Sequence, residues 1–317
     1  MIICIGESLI DFVPISQPTN GDESGAASLP EYRPVAGGCP YNCAISAARL
    51  GAKVAFVGTV STDFFGDQLL SRLGDNTVDT SMIHRVDHPT TLAFVKKSPS
   101  GSARYAFYTI SAADRAFSAE HVPVPIPAHA IVQIGSISLI ADPEGATILD
   151  LAERERGRRI IAFDPNIRDT LITDEDDYRR RVDRALAATT VLKTSDEDLE
   201  WIYPGVSLDE AVRRVRRKGV ELVVVTRGSE GSAAYTASRT VTVAAIDVEV
   251  SDTIGAGDSF LAALLVWLDE TGVVEPGSVG GLSIDELTEA LEFASRVSAV
   301  TCTRVGAEPP YRSELGD

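Results

Sequence analysis

Two rhythms of apolar and polar positions alternate along most of this chain. From residue 131 onward, short apolar runs at 131–135, 159–163, 190–193 and 221–226 are separated by charged stretches at 143–157, 174–188 and 207–218 with helical periodicity. Unbroken apolar runs suit strands buried on both faces, and the amphipathic stretches suit covering helices, so this region predicts the βαβ repeat of a parallel sheet. The runs 2–5 (IICI, ending at Gly6) and 54–58 (VAFVG) predict two more such strands. Pro40 suits the first turn of a helix through YNCAISAARL that Gly51 ends, and a second helix is expected from about Thr62, as its N-cap, to Leu73. Two strands near 231–236 and 239–244 precede a long helix beginning about Ala256, and a last helix occupies roughly 283–301.

Two stretches break the rhythm. Residues 14–34 are rich in Pro, Gly, Ser, Asn and Asp and read as loops and exposed strands. The runs 90–97 and 103–109, rich in Thr, Phe, Tyr and Val and separated by Ser98-Pro99-Ser100-Gly101, read as a hairpin. With no internal repeat and no linker, residues 1–317 are expected to form one α/β domain, and the segments about 9–35 and 90–109 an excursion above its sheet.

Charge then narrows the partners. Among 317 residues, 46 are acidic and 29 basic, a net charge of −17 that repels phosphate backbones and anionic lipid. Nucleic acid and membranes are therefore excluded as partners. The basic runs at 153–159 and 213–218 lie on amphipathic helices and read as solvated faces. The most apolar run, 260–267, is closed by Asp269 and Glu270 and is too short to span a bilayer. Glu7 and Asp11 interrupt the start of the chain where a secretion signal needs apolar residues, so a cytoplasmic protein is expected. Its four cysteines, Cys4, Cys39, Cys43 and Cys302, then read as free thiols. Cys39 and Cys43 have metal-like spacing without further ligands nearby, and Pro89 disfavours a helix that would align His84 with His88.

The segment Asp252–Phe260, DTIGAGDSF, carries the most chemistry. Two glycines at the start of an apolar helix expose backbone N–H groups to an anion, and the helix dipole adds positive potential. Asp258 stands one residue beyond, where its carboxylate can take a proton from a hydroxyl lying against that anion. Phosphoryl transfer needs this pairing of anion donors and base. The helix N-terminus is expected to lower the carboxyl below its ordinary range, leaving position to do most of the catalytic work. Local physics alone leaves a second reading open, in which Asp258 only caps the helix and the glycines only turn a corner. The dinucleotide fingerprint is incomplete here, and no Walker A motif is present.

DTIGAGDSF, the Gly37-Gly38 pair followed by Asn42, Asp11 after the first strand, and VTRGSEGS at 225–232 together resemble the ribokinase-like (phosphofructokinase B-type) sugar kinases. The resemblance spans Ile2 to about Pro310. GESLIDF, STDFFG (61–66), TTLAF (90–94), YAFY (105–108), DPNIR (164–168), KTSDEDL (193–199) and TCTRVGAEPP are most similar to fructokinases within that family.

The resemblance implies a ribokinase-like fold, with a central mostly parallel sheet flanked by helices and a small β-sheet lid over the sugar. It makes Asp258 the base and Gly255, Ala256 and Gly257 the anion hole, with Arg168 as the cation for the transferring phosphate. Asp11, Gly37, Gly38, Asn42, Asn166 and Arg104 are implied to face the sugar, and Lys193, Ser195, Thr226, Gly228 and Gly231 the nucleotide. ATP with magnesium is the implied cofactor set. The family's magnesium-linked Asn-x-x-Glu pattern is replaced here by Ser195 and Asp198, with Glu197 alongside. Potassium is carried over for Asp252 and the loop leading to Gly306.

The activity implied is ATP-dependent fructokinase, and an apolar lid sheet exposed on one face would favour pairing with a second copy, so a homodimer is expected. A 2-keto-3-deoxygluconate kinase is the nearest alternative, kept open by Arg104, Arg115 and Arg168 as cations for a carboxylate. From another class, a non-catalytic sugar-sensing regulator would keep the fold without needing the base.

Overall fold

A computed structural model describes residues 1–15, 30–97 and 103–316 and resolves the chain into two sheets. The first part comprises β1 (Ile2–Ile5), β2 (Leu9–Pro14), β3 (Tyr32–Gly37), α1 (Cys39–Arg49), β4 (Val54–Ser61), α2 (Phe64–Asp75) and β5 (Ile83–Val86). The hairpin follows as β6 (Thr91–Lys97) and β7 (Ala103–Tyr108). The βαβ region contains β8 (Ile131–Gly135), α3 (Glu144–Glu155), β9 (Ile160–Asp164), α4 (Glu175–Ala188), β10 (Val191–Ser195), α5 (Asp196–Ile202), α6 (Leu208–Arg217) and β11 (Leu222–Thr226). The chain closes with β12 (Ser232–Tyr235), β13 (Thr240–Val243), α7 (Ala256–Glu270) and α8 (Ile284–Cys302).

The large sheet has the order β13-β12-β11-β10-β9-β8-β1-β4-β5, parallel except for β12 and β13. Its central strands are buried on both faces, as their unbroken apolar runs require. One core lies under α1, α2, α7 and α8, and a second lies under α3, α4, α5 and α6. Helix α7 packs between α1 and α8, and its side chains from Asp258 to Leu268 are all buried, which accounts for the most apolar run in the sequence. Strands β4 and β8 flank β1, so the winding reverses there, and the crevice beyond the carboxyl ends of the strands is where such sheets bind ligands.

The small sheet, β3-β2-β6-β7, is the lid. Its register aligns Asp11 with Ala93 and Ala93 with Phe107, and side chains alternate between faces. Asp11 and Phe107 therefore face the crevice, while Phe12 and Phe94 stack at 4.6 Å on the opposite face.

Three details differ from the sequence reading. The cap of α2 is Asp63 rather than Thr62: its carboxylate accepts from Gly66 N at 2.8 Å and also ties Thr90 at the root of the lid, through N at 2.9 Å and the hydroxyl at 2.7 Å. Strand β5 was not anticipated because IHRV is short and half-exposed. Helix α5 is too short to show a period. The 98–101 turn and most of 14–34 lie outside the described residues. Among the described residues, no helix is long and apolar enough to cross a membrane.

Candidate active site

Lid and sheet enclose a cleft of about 550 Å³. Its floor is made by the carboxyl ends of β1, β8 and β9, which bring in Glu7, Ser136 and Asn166, and its roof by Asp11, Tyr105 and Phe107 of the lid. Helices α1 and α7 close the side with Gly38, Cys39, Asn42, Gly255, Gly257 and Asp258. Close approach explains two glycines here. A methyl group on Gly37 would collide with the Asp11 carboxylate, and one on Gly38, at φ 110°, would meet Glu7 O at 2.7 Å.

Asp258 sits in the first turn of α7, and Asn42 Nδ2 donates to its Oδ2 at 2.8 Å. The expectation of a carboxyl below its ordinary range is corrected: burial pushes Asp258 up, against the opposing pull of Asn42, Cys39, Lys193 and Arg168. A raised pKa makes the group a better proton acceptor for an alcohol. Asp11 is pushed up to about 7 by burial, with Arg168 pulling it down and Asp258, Asp252 and Glu7 pushing it up. Glu7 is likewise raised to about 7 by burial.

The turn before α7 has the expected shape. Gly255 caps the helix in the left-handed region at φ 77°, and the preceding loop is held by Ser251 N and Asp252 N donating to Cys302 O at 2.8 and 3.2 Å. Ala256 N donates to Thr253 O at 3.2 Å, so its donor is already engaged. Among the described residues, Gly255, Gly257 and Asp258 donate to no backbone carbonyl, which leaves their N–H groups for an anion. Arg168 is half-buried in the lining of the cleft rather than paired on the surface. Its Nη1 donates to Asn166 O and Ile167 O at 3.1 and 3.0 Å, and its guanidinium lies 5.6 Å from the Tyr105 ring centre.

A second cleft of about 590 Å³ adjoins the first at Val250, Thr253 and Gly257. Thr226, Gly228, Gly231, Ala245, Phe260, Ser298 and Ala299 line it, so three of the five expected nucleotide residues meet in one place. Gly231, at φ 89°, has no room for a side chain against the backbone of Val243 and Ala245.

The structure moves other expected residues elsewhere. Lys193 lines neither cleft; its Nζ donates to Asp164 Oδ2 at 2.9 Å and lies 2.8 Å from where a methyl on Gly257 would sit, so its charge is beneath the turn that opens α7. Ser195 caps α5. Asp198 accepts from Ile167 N at 2.9 Å and Ser195 N at 3.2 Å, and thereby holds the DPNIR turn; Glu197 is exposed. These two carboxylates do not fit a magnesium site at either cleft. Arg115 is spent on Glu144 at 3.1 Å and Ile137 O at 2.8 Å. The Arg104 side chain lies outside the described residues. Asp252 is buried, and its carboxylate accepts from Ile254 N and Gly306 N, both at 3.3 Å, so it joins the two loops where the monovalent cation was expected.

Sequence reasoning missed Glu7, Tyr105, Phe107 and Asp164 as site residues. Lid alternation from Asp11 would have located the two aromatics; no local signal marks the others. The ligand atoms of Cys39, Asp164 and Asp258 lie within 4.8 Å of one another. Burial raises the Cys39 thiol, and Lys193 occupies Asp164, so this group reads as a thiol packed beside the Asp258 carboxyl and not as a metal centre.

Two clefts meeting at a helix N-terminus, with a buried carboxylate at the junction, define a phosphotransferase acting on an alcohol. Residues 1–314 match the family model described as pfkB family carbohydrate kinase. A fructokinase of Rhizobium leguminosarum bv. trifolii is 38% identical over 282 residues, covering 89% of this chain and 84% of that protein. The Xylella fastidiosa fructokinase solved with bound ATP superposes with a TM-score of 0.88 at 28% identity, covering 99% of this chain and 96% of that one. A Vibrio cholerae fructokinase solved with fructose, ADP and calcium ion gives 0.83 at 25% identity, covering 99% and 97%. The chain belongs to the pfkB family of carbohydrate kinases, and it is an ATP-dependent carbohydrate kinase.

Proposed function

We propose that this kinase transfers the γ-phosphoryl group of ATP to the 6-hydroxyl of D-fructose, giving fructose 6-phosphate and ADP. The carrying observation is the acidity of the first cleft: among the described residues that line it, Glu7, Asp11, Asp252 and Asp258 stand against Arg168. Four carboxyl groups, ionised or neutral, can exchange hydrogen bonds with the hydroxyls of a neutral polyol and offer no cation to a sugar acid. With Arg115 spent elsewhere, the 2-keto-3-deoxygluconate reading loses one of its three cations. The fructokinase relatives support the same choice.

In this reading, Asp11 and Asn42 orient the sugar under Tyr105 and Phe107, and Asp258 takes the proton of the attacking hydroxyl. A positioned base contributes about 10²–10⁴-fold. The N–H groups of Gly255, Gly257 and Asp258 receive the charge of the moving phosphoryl group, with Arg168 beside them and Lys193 beneath. The nucleotide lies across Thr226, Gly228 and Gly231, its phosphates directed to Gly257. Lid closure excludes water and so suppresses ATP hydrolysis. Magnesium enters with the nucleotide and is assigned no ligand among Glu197 and Asp198. Potassium is assigned to the Asp252 loop. We place the enzyme in the cytoplasm, on its free thiols, and read it as a homodimer through the aromatic outer face of the lid, where Tyr108 is exposed beside Phe94. Light scattering at the mass of two chains tests that assembly.

The activity is tested by ADP release with MgATP across fructose, ribose, 2-keto-3-deoxygluconate, adenosine and fructose 6-phosphate. Turnover greatest on fructose is expected. Turnover confined to the keto acid would overturn the substrate and keep the class.

A further inference from the structure

The anion hole is backed by the C-terminal segment. Gly255 needs its left-handed conformation and its missing side chain because Ala307 packs directly behind it, with Ala307 Cβ 2.7 Å from where a methyl on Gly255 would sit. Gly306 N reaches Asp252 Oδ2 at 3.3 Å from the same segment. Two arginines hold this stretch in place. Arg49, in the last turn of α1, donates to Glu308 Oε2 at 3.0 Å and to Pro309 O at 2.7 Å. Arg72, in the last turn of α2, donates to Glu308 Oε1 at 2.6 Å and to Ala307 O at 3.4 Å.

Glu308 is thus gripped on both carboxylate oxygens by two different helices. Each helix also serves the site at another point. Helix α1 carries Asn42, which holds the base, and α2 is capped by Asp63, which ties Thr90 at the root of the lid. The side chain of Arg49 is almost fully buried and also donates to Asn76 Oδ1 at 2.7 Å, so the grip is fixed rather than a loose surface pair.

We infer that Glu308 is a positioning residue for phosphoryl transfer: clamped by Arg49 and Arg72, it sets Ala307 against Gly255 and so fixes the anion hole relative to the base-holding helix and the lid. The inference rests on the DTIGAGD turn being the anion hole. Small displacements of a preorganised site are costly, a 1 Å error reaching about 10²-fold in rate.

The test is steady-state ADP release with fructose and ATP for Glu308→Gln, Arg72→Gln, their double variant and Ala307→Gly, with thermal midpoints measured alongside. Glu308→Gln is expected to lower kcat about tenfold while the KM for fructose stays within about twofold, a split that mere loss of folded protein would not produce. The double variant is expected to be no slower than the slower single one, because both break the same clamp. Ala307→Gly leaves the clamp intact and removes only the methyl behind Gly255, so it reads the contact even if Glu308→Gln folds poorly; a fall of about threefold is expected. Wild-type kcat in both Glu308→Gln and Ala307→Gly overturns the inference. Loss of turnover in Asp258→Asn together with that result leaves the reading of the hole standing, whereas full turnover in Asp258→Asn removes the reading on which the clamp depends.

Discussion

The two clefts that meet at Gly257 are built on opposite principles. The sugar cleft holds four carboxylates and one arginine, nearly all buried, and burial raises Glu7 and Asp11 to about 7. The nucleotide cleft has a similar volume and contains a single charged side chain, Asp247, among glycines, serines and small apolar residues. Desolvated polar groups reject any ligand that fails to satisfy them, so as the proposed sugar site the first cleft would discriminate between hydroxyl patterns. On the proposed assignment the second takes a flat ring by shape and leaves the phosphates to backbone donors at the shared turn. Charge substitutions should therefore dominate on one side and steric ones on the other.

The largest effect is expected where the charge beneath the junction is removed. Lys193→Met leaves Asp164 buried without its cation, and breaking such a pair costs about 3–5 kcal/mol. The double variant Asp164→Asn/Lys193→Met should recover much of that stability in denaturant melts without recovering turnover. Recovery of both would show that Lys193 serves packing alone.

Asp11→Asn sharpens the sugar side. Its KM for fructose should rise by about 10²-fold, as expected when a buried group that binds a substrate hydroxyl is altered. Its effect on stability has the opposite sign. A carboxyl whose folded pKa is raised to about 7 favours the folded state below its unfolded value near 4 and loses that contribution as pH rises through 7. Asn removes the charge, so the variant's unfolding free energy in denaturant melts should exceed that of the wild type by more at pH 8 than at pH 5, by about 0.5–2 kcal/mol. An equal difference at both pH values would contradict a raised Asp11.

On the nucleotide side, Gly231→Ala meets the backbone of Val243 and Ala245 and should raise the KM for ATP severalfold while fructose binding is unchanged. Gly228→Ala points into open space, and its effect should be smaller. Least affected should be Glu197→Gln, which faces solvent: its magnesium dependence should match the wild type, and a tenfold shift would restore that carboxylate as a ligand.

Much of this was legible in the chain itself. The apolar runs of β8 to β11 and the amphipathic helices between them announce a parallel sheet because each element carries its own period. DTIGAGDSF announces the glycine turn at the start of α7, with its free N–H groups, because that geometry is a local property of the backbone. What stayed hidden is long-range. Burial of Asp258 against α1 reverses the direction that the helix terminus alone suggests for its pKa. Lys193 looks like a nucleotide contact along the chain, yet Asp164 draws it under the turn. Asp198, two positions from a helix start, is consumed by the Ile167 amide, a partner 31 residues away in sequence.

The most direct test of the account is turnover and fructose binding in Asp258→Asn, with release of ADP and binding heat measured on the same preparation. The substitution keeps the shape that Asn42 holds and removes the proton acceptor. We expect turnover to fall by about 10³-fold, within the range a positioned base supplies, with the Kd for fructose within a few fold of the wild type. Turnover close to the wild type would contradict a base at the junction of the two clefts.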